Sequence, residues 1–198
     1  MSTRTRLAAA LIPLLALTAC GGGDGSGTAE AQASTCAPVS GELLAADSRE
    51  GEPRLEIPLP DGWETNSSMN SDVIRLAVVN PGLLDQDFAP NIVVTAEPSP
   101  ADEQAALDRQ LAGLGQLSGE TDLTPEATDI CGYSAWTLGY ELPEMGAIPA
   151  RPAEVQIIVV PDGDQSITYT MTAQAVAPVD PAYEEAVEAI FSGVQITA

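Results

Sequence analysis

The sequence contains no histidine and no lysine, and only two Trp, four Tyr and two Phe. Without histidine the chain lacks the commonest general base, the commonest transition-metal ligand, and any Ser-His or Cys-His nucleophile pair. "GYSAW" (132–136) also lacks the second glycine of a nucleophile elbow, so nothing in the sequence marks a catalytic serine. Without lysine, positive charge rests on seven arginines against 29 acidic residues, for a net charge of −22. Arg4 and Arg6 fall in the first six residues, so the chain from Cys20 onward is more acidic still. Such a surface repels nucleic acid and anionic lipid head groups. No cofactor motif is present, and none is expected to bind.

Long apolar runs are missing too. The longest clear one, Leu7–Ala19, follows the short basic head. A bilayer span needs roughly 20 apolar residues, so this stretch reads as the core of a secretion signal over residues 1–19. Leu17-Thr18-Ala19-Cys20 resembles the lipobox of bacterial lipoproteins. It implies cleavage before Cys20 and acylation of the Cys20 thiol; the alternative is an ordinary signal peptide cut nearby. More than one acyl chain is needed for stable anchoring. Residues 20–35 then form a Gly/Ser/Thr/Ala-rich tether with a reach of about 20 Å. A globular domain is expected over 36–198, long enough to bury a core unaided.

Cysteine is scarce, and each one counts. With Cys20 assigned to lipid, Cys36 and Cys131 remain, and an exported chain with two cysteines suggests one disulfide. It would stabilise by about 2–5 kcal/mol; the alternative is two buried free thiols.

High acid content can signal disorder, but most of the domain shows strand and helix patterns. "LEIPLPDGWE" (55–64), "SDVIRLAVVN" (71–80) and "NIVVTAEP" (91–98) read as strands bounded by Pro and Gly. "SPADEQAALDRQLAGLG" (99–115) changes period: Ser99 caps, Pro100 opens, and Leu107, Leu111 and Leu114 form one stripe up to Gly115. "TDLTPEATDICGYSAWTLGYEL" (121–142) gives two strands about Cys131-Gly132, with Trp136, Leu138, Tyr140 and Leu142 on one face. "AEVQIIVVPDGDQSITYTMTAQA" (153–175) is the strongest hairpin. "DPAYEEAVEAIFSG" (180–193) is a second helix with an Asp180 cap and Pro181 at its first position, followed by a short strand at 194–197. This order specifies an α+β fold, a mainly antiparallel sheet with amphipathic helices packed on it.

Taken in order, "IPLPDGWE", "APNIVVTAE", "CGYSAWTLGYEL", "ITYTMTAQA" and the terminal "FSGVQI" resemble the actinobacterial LpqN/LpqT-type lipoproteins. The resemblance covers about residues 37–198 and implies a PsbP-like α/β/α sandwich. It also implies an envelope lipoprotein of a mycolate-bearing bacterium that assists envelope lipid handling or envelope protein complexes. It carries over no catalytic residues.

Metal and ligand readings are then few. "DGDQS" (162–166) starts like a calcium loop but has Ile167 and Ala173 where an EF-hand needs Gly and Glu, so it reads as a turn. Asp85 and Asp87 read as a solvated loop. No metal site is expected. Because aromatics are rare, Trp63, Phe88, Trp136, Tyr140 and Met145 are the candidates to line an apolar groove; the alternative is ordinary core and edge packing. The functional expectation is a non-enzymatic protein on the outer face of the cell membrane. It would be held by its lipid and bind an envelope lipid or glycolipid, or a membrane-protein partner. A protein-binding scaffold is the runner-up. A carboxylate hydrolase acting on sugars would need two acids about 5–9 Å apart in a cleft.

Overall fold

The β8–β9 hairpin is the longest pairing in the molecule and forms its middle. In the computed structural model, which describes residues 36–197, β8 (Arg151–Asp162) and β9 (Gln165–Gln174) pair antiparallel from Ala153↔Gln174 to Asp162↔Gln165. The expected leader at 1–19, the Cys20 lipidation site and the tether over 20–35 lie outside the described residues. Pro161 and Asp162 belong to the strand, and Gly163 makes the turn at φ +60°.

On one side, β9 pairs with β5 (Asn91–Ser99), which continues to β4 (Ile74–Val79) and the two-residue β3 (Glu64–Thr65). On the other, β8 pairs with β7 (Tyr133–Leu142), then with edge strand β6 (Glu126–Ile130). The resulting seven-stranded order is β3-β4-β5-β9-β8-β7-β6, with each registered pair antiparallel. This is the α+β class expected from the sequence. A second sheet was not expected: β1 (Leu43–Ala45) and β10 (Gln195–Thr197) flank β2 (Arg54–Pro58), again antiparallel.

Strand alternation sends side chains to opposite faces. One face carries Leu76, Val78, Ile92, Val94, Ile158, Val160, Tyr169 and Met171. It is covered by Leu55, Ile57 and Ile196 of the small sheet and by helix α2 (Pro181–Ser192) through Tyr183, Val187, Ile190 and Phe191. The other face carries Leu138, Tyr140, Leu142, Ala153, Val155 and Ile157, and receives helix α1 (Glu103–Ser118) through Leu107 and Leu114. The two helices therefore sit on opposite faces of the large sheet. A partly buried ion pair fastens the β1–β2 loop: Arg75 reaches Glu52 at 3.4 Å. Beside it, the Tyr169 hydroxyl donates to the Pro53 carbonyl.

The second helix begins as read, with Asp180 Oδ1 accepting from Ala182 N at 2.8 Å and Pro181 first. The first helix starts later and ends later than its sequence reading. Ser99 is the last residue of β5, paired with Ser166 and hydrogen-bonded to its carbonyl at 3.2 Å, so it is not free to cap. Asp102 caps instead, accepting from Ala105 N at 2.9 Å. The helix runs through Gly115 and closes at Gly119, whose φ of +81° is the left-handed end that glycine tolerates.

Two helix-related glycines should respond oppositely to substitution. A Cβ at Gly193 would strike the Pro58 ring and lie 2.7 Å from the Ala189 carbonyl oxygen, whereas one at Gly113 meets nothing within 4 Å. Gly193→Ala is expected to destabilise by about 1–3 kcal/mol. Gly113→Ala is expected to stabilise by about 0.5–1 kcal/mol. Urea denaturation of both variants beside the parent checks the opposite signs.

Candidate functional site

The face under α2 changes character along β8. Its inward residues run Val160, Ile158, Gln156, Glu154: two aliphatic, then two polar. Helix α2 packs its apolar stripe into the core and leaves Glu184, Glu188 and Ser192 along its flank. Between that flank and the polar end of the sheet lies a groove of about 590 Å³. Its sheet wall is Thr128 and Ile130 of β6, Thr137 of β7, and Pro152, Glu154 and Gln156 of β8. Val179, Tyr183 and Phe191 complete the apolar lining. An adjoining depression of about 470 Å³ shares Thr137, Pro152 and Glu154 and extends to Glu126.

The groove's electrostatics follow from its walls. Partial burial raises the Glu154 carboxyl above the usual carboxylate range, and Glu184 opposite pushes the same way. Burial also raises the Tyr183 phenol well above its ordinary value, with Glu154 adding to the effect. Gln156 is 3% exposed, and its Oε1 has no hydrogen-bond partner. Among the described residues, no group of three or more Cys, Asp or Glu is placed to hold a metal ion. The chemistry on offer is an apolar lining beside hydroxyls, carboxylates and one unsatisfied amide oxygen.

A disulfide closes one end. Cys36 and Cys131 are bonded, with their Cα atoms 3.9 Å apart. Cys131 and Gly132 form the two-residue turn between β6 and β7, at φ +57° and +82°, as the favoured hairpin twist requires. Asp129 Oδ1 accepts from Gly132 N at 3.0 Å and braces that turn. Cys131 directly follows Ile130 of the groove wall, and Gln195 Nε2 donates to the Ala37 carbonyl at 2.9 Å beyond the end of α2. The domain's first described residue is thus held at this end of the groove.

The five residues expected to line a groove do not share one. Trp63 is buried under the α2 face, its ring stacked on Tyr183 at a centroid distance of 6.3 Å. Trp136 and Tyr140 lie across the sheet with α1, because Trp136↔Ile157 and Tyr140↔Ala153 place them on the opposite face. Phe88 sits in the loop before β5, where the Arg151 guanidinium lies 4.8 Å from its ring centroid. Met145 is 51% exposed in the β7–β8 loop. Only Trp63 touches a wall of the groove, from behind. The groove is lined instead by Tyr183 and Phe191 of α2 and by Glu154 and Gln156 of β8, and the sequence signal for the last two is their alternation with Val155 and Ile157.

The fold is similar to the crystal structure of LpqN involved in cell envelope biogenesis of Mycobacterium tuberculosis. The TM-score is 0.60 at 20% identity, covering 79% of this chain and 91% of that one. The Ran-binding protein Mog1p of Saccharomyces cerevisiae is matched at a TM-score of 0.47 and 13% identity, over 79% of this chain and 96% of that one. No protein-family model and no curated protein matches the chain. The LpqN likeness establishes the fold that the sequence resemblance implied.

The raised Glu154 carboxyl has a thermodynamic sign. The folded state holds this proton more tightly than the unfolded state, so stability falls as pH rises from the ordinary glutamate value of 4.5 through the raised one. Glu154→Gln should therefore raise the melting temperature at pH 7, and the gain should vanish below pH 4.5. The gain should be less than about 1 kcal/mol, because water screens an exposed carboxylate. Calorimetry of both proteins from pH 3.5 to pH 8 checks it.

Proposed function

We propose that this protein is a non-enzymatic lipoprotein, anchored through Cys20 to the outer face of the cell membrane, that binds an envelope lipid or glycolipid in the groove between α2 and β6–β8. The groove itself carries the reading. Its volume of about 590 Å³ falls in the range of small-molecule sites, and an apolar lining with a few convergent polar groups suits an amphiphile. Because the groove is open to solvent, a head group can stay hydrated while a chain lies along Ile130, Val179 and Phe191. The LpqN likeness supports an envelope role, since that protein is described as involved in cell envelope biogenesis. The lipobox at Leu17–Cys20 supports the anchor, and the histidine-free composition supports a binding rather than a catalytic role.

A second reading, an accessory subunit of an envelope membrane complex, draws on Leu84 at 60% exposure and Met145 at 51%. Leu84 lies in the loop before β5 and Met145 in the loop before β8, and the Phe88–Arg151 contact ties the first loop to the start of β8.

Native mass spectrometry of the protein purified from its own membranes tests the first reading. A lipid adduct is expected on the parent and is expected to be lost in Thr137→Trp, which fills the groove. Cys20→Ala is expected to release the protein into the medium. No adduct on the parent, with a crosslinked partner lost on Leu84→Ser and Met145→Ser, would favour the second reading.

A further inference from the structure

Among its polar side chains the groove is rich in acceptors and holds no cation. Glu154 on β8 stands opposite Glu184 and Glu188 on α2, and Glu126 joins them in the adjoining depression. None of the five described arginines lines either space. Beside the acids is the unpartnered Oε1 of Gln156, on a side chain 3% exposed. A buried acceptor without a donor is costly, so this atom calls for a donor from a ligand. Ionised carboxylates and an amide oxygen only accept.

Resting on the amphiphile-binding reading above, we infer that the polar end of the ligand is a primary ammonium group. It sits between Glu154 and Glu184 and donates one N–H to Gln156 Oε1, while the attached chain lies against Val179 and Phe191. An ammonium brings three donors and no acceptor, which matches the acidic side of the groove formed by Glu154, Glu184 and Glu188. A sugar hydroxyl also donates to a carboxylate, but it brings no charge to offset theirs. The positive charge relieves the repulsion between Glu154 and Glu184, and charge-assisted hydrogen bonds exceed neutral ones in strength. The chain's net charge of −22 attracts a cation from a distance and repels an anionic head group. Tyr183, the remaining titratable group on the wall, has its phenol held neutral by burial.

The test is a titration of the full chain at pH 7.5 with three twelve-carbon probes below their micellar concentrations: dodecylammonium, dodecyl maltoside and dodecyl sulfate. Fluorescence of Trp63, stacked on Tyr183 of the groove wall, reports binding. Dodecylammonium is expected to bind at least about tenfold more tightly than the maltoside, a difference of one charge-assisted contact. The sulfate is expected not to bind. Glu154→Gln with Glu184→Gln should bring the ammonium-to-maltoside ratio to within about twofold. Glu50→Gln with Glu64→Gln, which removes two exposed acids outside the groove, should leave the ratio intact. Equal binding of ammonium and maltoside overturns the inference and leaves the amphiphile reading standing. Equal loss of preference in both double variants also overturns it, because the attraction is then to bulk charge. No binding of any probe overturns the amphiphile reading itself. If Nα-acetyl-lysine amide binds as tightly as dodecylammonium, the groove reads a basic side chain of a protein, and the amphiphile assignment falls.

Discussion

The structure depends on one strand with two buried faces. From Val155 to Val160, each residue of β8 is buried. Val155 and Ile157 pack under α1, while Ile158 and Val160 pack under α2 and the small sheet. Antiparallel partners on both sides fix the register of β8, and a slip of one residue would exchange the two faces. The strand must therefore satisfy two cores at once. On the α2 face it does so over half its length, after which Gln156 and Glu154 replace the aliphatic residues. A helix cannot seat an apolar stripe on that pair, and the space it leaves is the groove.

Other features converge on the same place. The disulfide pins Cys36 to the β6–β7 turn next to the groove wall. At the same end, Gln195 Nε2 donates to the Ala37 carbonyl. The acidity of the chain disfavours direct contact with anionic head groups. Arg151 and Tyr140, on the opposite face, form a separate polar spot: burial lowers the guanidinium's affinity for its proton and raises that of the phenol.

The main elements were legible in the residues. Asp180-Pro181 marked the start of α2 because a cap and an N1 proline act locally. The alternation of Ile167, Tyr169, Met171 and Ala173 against Thr168, Thr170 and Thr172 marked β9 and its two faces. Ser99 misled, because a serine before proline suits a cap while tertiary pairing with Ser166 keeps it in the sheet. β1 and β3 are two or three residues long, too short for a period to appear, whereas β10 was marked by its place after the glycine that closes α2. The groove was the hardest to foresee. Period-two alternation says that Trp136 and Tyr140 share a face, but not that Trp63 lies across the sheet from them. Which helix covers which face is decided by connections far apart in the chain, and the groove is a product of that choice.

The central claim is that ligand is held where β8 turns polar beneath α2. Backbone amide NMR of the full chain, titrated with dodecyl maltoside below its micellar concentration, tests it most directly. The account predicts shift changes concentrated at Thr128, Thr137, Gln156, Glu188 and Phe191, with the α1 face quiet. Changes centred instead on Leu84 and Met145, or on Leu117 of α1, with the groove unmoved, would contradict it.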